Sequence, residues 1–341
     1  MSAVQVQYDN AEDIHNLHSN LVTTFQSGRT KDLAWRKWQL KQLWWMLEDN
    51  EKEFMAAMKE DLNRSNIESM ITDFAGARKD ILYHLQHIDK WAADEPLGDT
   101  FVAKKLRLAR IRKEPLGVVL IIGAWNFPLL LVLQPLIAAI TAGCCAIIKP
   151  SELISSSQAL LKQLIPKYLD QSAIGVVCGG VTETTSLLEL QFNHIFFTGS
   201  ATVGRVISAA AAKYLTPVTL ELGGQCPAII CKSANIDRAA KCVAFSKFLN
   251  SGQICLSVNH VFVDPSVYDQ FNERLKHWID TFLNGQSTID TAIVNRNHFD
   301  RLSALIRNTG GSVFCGGGGN RETRRKEPTV ILDVDTNGKI F

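Results

Sequence analysis

From Gly117 to Ile148 the chain carries no charged residue, and a run of that length belongs either in lipid or in a protein core. Its interior decides between the two. Asn126, Pro128, Gln134 and Pro135 interrupt it, and Gly123 and Gly143 mark turns on either side. The run Val118-Val119-Leu120-Ile121-Ile122 has the length of a parallel strand buried on both faces. Ala124 to Pro128 reads as a loop, Leu129 to Ala142 as a buried helix, and Cys145-Ala146-Ile147-Ile148 as a second strand. No transmembrane segment is expected.

The alternation continues. A helix is expected at 156–168, a strand at 174–178, a helix at 182–190, a strand at 194–197 and a helix at 201–214. Short apolar strands separated by helices imply a parallel sheet covered on both faces. Before it, residues 12–61 read as two amphipathic helices separated by Ser27-Gly28-Arg29-Thr30, with Thr30 capping the second. Trp35, Trp38, Trp45 and Met46 recur at helical spacing and are assigned to packing. A third helix spans Ile67 to Trp91. Its His84 and His87 lie three apart but lack a third ligand nearby, so no metal is expected. Residues 100–113 alternate basic and apolar side chains, as a half-exposed strand or hairpin would. Leu215-Thr216-Pro217 breaks the last helix, which divides the chain into 1–217 and 218–341. The second part opens on the block Val218 to Gly224 and is expected to hold a strand at Ala228 to Cys231 and helices at 236–251 and 265–284. The run Gly316 to Gly319 has no helix-forming segment after it, so it reads as a flexible loop rather than a phosphate cradle.

The 341 residues are 46% apolar with a net charge of +2, enough for two cores. Lys and Arg are spread along the chain, which excludes a nucleic-acid footprint. The eight cysteines form no CxxC pair and read by default as small buried hydrophobes in a reducing compartment. Met1 to Asn10 resembles neither a secretory signal nor a transit peptide, so a cytoplasmic location is expected.

Four segments carry polar chemistry. Cys255 follows a glycine turn that ends an amphipathic helix, where substrate can reach a thiol and unpaired amides lower its pKa. Glu221 sits in the apolar run Val218 to Gly224. Burial there would raise its pKa toward neutrality, as a general base needs, while a structural salt bridge is the alternative. Phe197-Thr198-Gly199-Ser200-Ala201-Thr202-Val203-Gly204 is a strand end, a glycine turn and a helix start, an arrangement that offers amides to a pyrophosphate. Lys149-Pro150-Ser151-Glu152 follows a strand's carboxyl end. Lys149 and Glu152 would grip ribose hydroxyls there, or Ser151 would simply cap the next helix.

Together with Trp125-Asn126-Phe127-Pro128, Leu220-Glu221-Leu222-Gly223-Gly224 and Gly252-Gln253-Ile254-Cys255, these segments resemble the aldehyde dehydrogenase superfamily, in particular its class 3 branch acting on fatty and aromatic aldehydes. Glu221 and Cys255 stand 34 positions apart, as in that branch. The resemblance implies an α/β fold: a Rossmann-type parallel-sheet coenzyme domain followed by an α/β catalytic domain. It implies Cys255 as nucleophile, Glu221 as general base and Asn126 as oxyanion donor with the Cys255 backbone N–H. The reaction would be oxidation of a lipophilic aldehyde through a thiohemiacetal and a thioester. NAD or NADP would lie against Trp125, Lys149, Ser151, Glu152, Phe197, Thr198, Gly199, Ser200, Val203, Gly204, Leu222 and Gly223. Glu152 leans toward NAD, although class 3 enzymes often accept both.

Two departures stand out. Gln225-Cys226 replaces the Lys or Asn followed by Ser or Asp that usually succeeds the base motif. Family members also run on well beyond the position of Phe341, and Lys339 stands where a ribose-binding Glu is usual. The catalytic domain is therefore expected to be C-terminally shortened, with apolar faces and a sheet edge open and homodimerisation weakened. The second reading is a non-catalytic remnant that binds a nucleotide or a partner.

Overall fold

The computed structural model describes residues 7–96 and 109–334. The described chain forms two compact units. Residues up to Phe54 and from Met70 to Glu221 make the first; Met55–Ser69 and the residues from Leu222 onward make the second.

The first unit is built on five strands: β1 (Val118–Ile122), β2 (Cys145–Lys149), β3 (Ile174–Val176), β4 (His194–Gly199) and β5 (Val218–Leu222). Their order across the sheet is β3-β2-β1-β4-β5. The central pairs are parallel and in register, with Val118 opposite Cys145 and Ile122 opposite Lys149, and with Val119 opposite His194 on the other side of β1. Every residue of β1 and β2 is buried, as the unbroken apolar runs require of strands covered on both faces. The uncharged stretch thus resolves into strand, loop, helix (Leu130–Ala142) and strand. Among the described residues no helix is long and apolar enough to cross a membrane.

The helix Leu130–Ala142 ends at Gly143, whose φ of 84° is left-handed. Glycine is needed there twice over, because a β-carbon would also lie 2.6 Å from the Arg36 guanidinium. Arg36 is buried and donates to the carbonyls of Thr30, Lys31 and Thr141, placing a cation at the negative end of that helix. The hydroxyl of Thr30 donates to Gly143 O at 2.7 Å, so Thr30 does not cap the second helix as expected. Asp32 does, accepting from Ala34 N at 3.0 Å. Residues 12–61 form three helices rather than two, because the chain breaks at Asn50 between Leu33–Asp49 and Glu51–Leu62. Of the tryptophans assigned to packing, Trp35 donates to Asp170, but Trp38 and Trp45 are exposed. The third helix is interrupted by a π turn at Met70–Phe74 before Ala75–Ala92. His84 bonds Thr141 Oγ1, and His87 stacks on Trp91. Of the expected hairpin at 100–113, residues 100–108 lie outside the described residues. The flanking pairs Glu95–Ile111 and Pro96–Arg110 are antiparallel.

The block from Val218, expected to open the second domain, supplies the fifth strand of this sheet at Val218–Leu222. The second unit holds β6 (Pro227–Ile230) and β7 (His260–Val263), a parallel pair with Ile229 opposite Phe262. Helices Ile236–Phe248 and Tyr268–Leu283 pack around Ile230, Ala240, Val243, Ala244, Phe271, Leu275 and Ile279. Ile229 is 73% exposed and Phe262 48%, so both side chains reach solvent. The glycine run is not a loose loop. Gly317 N and Gly318 N donate to Thr329 Oγ1 and Glu327 Oε2, and a β-carbon on Gly316 would meet Pro328 O at 2.1 Å.

Burial lowers the pKa of His84, His18 and His194 in the first unit. Their folded pKa values lie below the unfolded value of 6.5, so the unfolded chain binds more protons in acid. Stability of this unit is expected to be full above pH 6.5 and to fall progressively below it. Denaturant midpoints measured across pH 5–8 check this; a midpoint that rises on acidification contradicts it.

Candidate active site

The strand order reverses between β1 and β4, where open parallel sheets bind ligands beyond their carboxyl ends. Three of the predicted segments leave the sheet at that edge. The loop carrying Trp125 and Asn126 follows β1, Lys149 to Glu152 follows the end of β2, and Gly199 to Gly204 follows β4.

The loop after β1 is tied at both ends. Gly123 N donates to Lys149 O at 3.0 Å. At the other end the helix Leu130–Ala142 has no side-chain cap from its own flanking residue. The fully buried carboxylate of Asp73 supplies one, its Oδ1 accepting from Leu129 N and Leu130 N at 2.9 Å each. A negative charge at a helix N-terminus is favourable both as acceptor and against the dipole. Asp73 sits in the π turn, so a distortion of one helix delivers the cap for another and fixes the exit of the Asn126 loop. Asn126 and Trp125 are half-buried, and Phe127 is buried.

After β4, Ser200 caps the helix Ala201–Ala212, its hydroxyl accepting from Val203 N at 3.3 Å. Gly199 is held to glycine because a β-carbon would lie 2.4 Å from the Phe197 ring. Phe197 and Gly204 are buried, while Ser200 and Val203 face solvent. The hydroxyl of Thr198 is buried without a hydrogen-bond partner, a condition that invites a ligand acceptor or donor. After β2, Lys149 is 3% exposed and its ammonium donates to Glu152 Oε2 at 3.2 Å and to Pro150 O at 3.4 Å. The two groups expected to grip a ribose therefore pair with each other. Ser151 does not cap the next helix; its hydroxyl accepts from Leu153 N, and the cap position is Ile154.

Glu221 differs from expectation. It is exposed, not buried, because β5 lies at the edge of the sheet, where none of its residues is fully covered. Leu222 is half-buried and Gly223 exposed.

In the second unit, the turn before Cys255 is unusual. Asn250, Ser251 and Gly252 are consecutive left-handed residues with φ of 53°, 52° and 70°. Each L-residue in that region costs about 1–2 kcal/mol, so the turn forms only if its surroundings hold it. They do so with a dense set of bonds. Asn250 is fully buried, its N–H donates to Glu68 Oε1, and its Oδ1 accepts from Arg64 Nη2 at 2.8 Å. Glu68 Oε2 accepts from Thr291 Oγ1 at 2.5 Å, and Ser251 Oγ donates to Thr291 O. Gln253 donates to Asn250 O and Ala292 O at 3.0 Å and accepts from Val294 N at 3.1 Å. Asn250 and Gln253 are thus the scaffold that presents Cys255 on an exposed turn.

The cysteines separate by environment. Only Cys144, Cys145 and Cys178 are buried, which corrects the default reading for the other five. Burial pushes the Cys145 thiol up to about 12 and Cys178 to about 11, which makes them inert. Cys255, Cys231 and Cys242 are exposed, and of these only Cys255 is delivered by a strained, bonded turn.

Sequence reasoning missed Asp73, Arg64, Glu68 and Thr291. Nothing in their local sequence marks them, because each acts on a residue distant along the chain.

A reversing parallel sheet with a glycine turn, a helix N-terminus and an unpartnered hydroxyl at its switch point defines a dinucleotide-binding protein class. The aldehyde dehydrogenase family model matches residues 2–341, and the chain belongs to that family. It is 44% identical over 312 residues to a beta-apo-4'-carotenal oxygenase of Neurospora crassa, covering 91% of this chain and 58% of that relative. It is 40% identical over 320 residues to the dimeric NADP-preferring aldehyde dehydrogenase of the dog, covering 93% and 70%. The structure titled as the substrate-bound state of Staphylococcus aureus AldH superposes with a TM-score of 0.91 at 34% identity, over 96% of this chain and 72% of that one. The chain therefore spans roughly three-fifths to seven-tenths of the length of these relatives.

Replacing Arg64 by Met removes the charged donor to buried Asn250. The second unit is expected to lose about 1–3 kcal/mol of stability, with alkylation of Cys255 by iodoacetamide altered in parallel. Chemical denaturation of the variant checks this; an unchanged midpoint contradicts it.

Proposed function

We propose that this protein oxidises lipophilic aldehydes, aliphatic or aromatic, to carboxylic acids, with NAD⁺ or NADP⁺ as hydride acceptor. The observation that carries the reading is the Cys255 turn: three left-handed residues held by Arg64, Glu68, Gln253 and Thr291 to present one exposed thiol. A scaffold of this strain is hard to explain for a thiol with no task.

The residues at the switch point fit a dinucleotide. The Thr198 hydroxyl is unpartnered, Gly199 allows close approach, and the Ala201–Ala212 N-terminus carries the positive end of a helix dipole suited to a pyrophosphate. Lys149 and Glu152 would hold ribose hydroxyls by opening their mutual ion pair. Trp125, Phe197, Val203, Leu222 and Gly223 would complete the surroundings. When bound, the nicotinamide supplies the acceptor for the hydride.

The chain's own groups do the rest. The Cys255 thiolate attacks the aldehyde carbon and forms a thiohemiacetal. The Asn126 side-chain amide and the Cys255 N–H hold the oxyanion, and the Asp73 cap keeps the Asn126 loop from relaxing. Loss of hydride leaves a thioester on Cys255. Glu221 then takes a proton from water, which attacks the thioester and releases the acid. An exposed Glu221 has the water that this step consumes. The dog relative is named dimeric, and a homodimer is proposed here by that likeness. A cytoplasmic location is proposed from composition alone.

The test supplies the purified chain with NAD⁺ or NADP⁺ and hexanal or benzaldehyde and follows the reduced cofactor. Turnover is expected, and Cys255→Ala is expected to abolish it. Glu221→Gln is expected to slow the steady state by about 10²–10⁴-fold while leaving a first-turnover burst of reduced cofactor, because thioester hydrolysis alone is impaired. Folded chain that binds the cofactor without turnover would instead favour a nucleotide-binding role.

A further inference from the structure

Cys226, the residue that departs from the family pattern, lies against the backbone of the candidate nucleophile. Its thiol donates to Cys255 O at 3.0 Å. A carbonyl oxygen lies about 2.4 Å from its own Cα, so the Cys226 sulfur is within roughly 5.5 Å of Cys255 Cα. The Cys255 sulfur lies about 2.8 Å from that same Cα in any rotamer, so the two sulfurs sit on adjoining backbone, and a side-chain rotation with a small backbone shift brings them to bonding distance. Cys255 is exposed on a turn, and rotation about its Cα–Cβ bond moves its sulfur without disturbing a core.

The backbone around Cys226 is arranged for this proximity. Cys226 has a φ of 38°, in the left-handed region that a cysteine seldom adopts. That conformation is held where Asn259 N donates to Cys226 O at 3.2 Å and Asn259 Nδ2 donates to Gln225 Oε1 at 2.6 Å. Gly224 leaves room for the sulfur: a β-carbon there would lie 3.2 Å from Cys226 Sγ and 3.4 Å from Cys255 O. A cation stands close by. The Lys247 ammonium is 3.7 Å from the point where a β-carbon on Gly252, in the turn before Cys255, would be. Cys231 and Cys242 are also exposed but show no such contact with Cys255.

We infer that Cys226 is a resolving thiol that forms a reversible disulfide with Cys255 when hydrogen peroxide oxidises the Cys255 thiolate. This rests on the reading of Cys255 as a reactive thiol. In the first step the Cys255 thiolate attacks one peroxide oxygen. The O–O bond breaks, an S–O bond forms, and the leaving oxygen departs as water after taking a proton. Cys255 is then a sulfenic acid. In the second step Cys226 attacks the Cys255 sulfur, the S–S bond forms, and the hydroxyl leaves as a second water with the Cys226 proton. Two thiols are oxidised and one peroxide is reduced. The link withholds Cys255 from aldehydes and blocks its further oxidation to sulfinic acid, which thiols do not reverse.

The experiment treats the chain with hydrogen peroxide, alkylates the remaining thiols, and sequences tryptic peptides by mass spectrometry without reduction. The expected result is the loss of two of the eight free thiols and a linked pair, Tyr214–Lys232 with Phe248–Arg274, joined through Cys226 and Cys255 and released by dithiothreitol. In Cys226→Ser, and in Cys226→Ala as a second variant, the link is expected to vanish and sulfinic acid to accumulate at Cys255. Cys255 sulfinic acid without a link in the native chain would overturn the inference, as would a link from Cys255 to Cys231 or Cys242. The link is read by mass and aldehyde oxidation by the reduced cofactor. A chain that turns over without linking overturns this inference alone, and one that links without turning over overturns only the enzymatic reading.

Discussion

The first unit depends on one constraint: the central strands β1 and β2 are buried on both faces, so their polar backbone groups must be met within the sheet. Parallel pairing with helical crossovers satisfies that demand and brings every strand's carboxyl end to the same edge. Polar residues have no place inside such a layer. They collect where the strands stop, and the reversal between β1 and β4 opens a crevice there. The Asn126 loop, the Lys149–Glu152 pair and the Gly199 turn are together for that reason.

The second unit meets a different demand. An exposed thiol cannot be held by packing around its own side chain, so the restraint must come through the backbone before it. Asn250, Ser251 and Gly252 take an unfavourable conformation, and a buried arginine and a carboxylate from residues 64–68 fix it. The same economy appears in the first unit, where Asp73 caps a helix to which it is not adjacent in sequence. In both cases a short stretch between Arg64 and Asp73 supplies the support.

Membership of the aldehyde dehydrogenase family accounts for the order of the motifs, and the departures from its pattern are where this chain is individual. Cys226 is the clearest. Its place beside Cys255 gives a chemical meaning to a change that a motif comparison registers only as a mismatch.

The strand–helix alternation, the dissolution of the uncharged run into a buried layer and the start of the nucleotide-side helix at Ser200 were legible from periodicity, because apolar spacing reports burial directly. So was Cys255 as a thiol on a turn. Other features were not legible. Apolar neighbours in sequence suggested that Glu221 is buried, but β5 lies at a sheet edge and the carboxylate is exposed. Thr30 looked like a helix cap, yet its hydroxyl is drawn to Gly143 O by a turn more than a hundred residues away. The sequence by itself determined the strand–helix alternation from Val118 to Ala212 and which residue types stand at those strand ends, since those follow from local pattern. The tertiary structure alone decided which side chains hold Asn126 and Cys255 in place. Arg64, Glu68 and Asp73 act across the chain, and a buried charge reveals its partner only once the backbone has brought the two together.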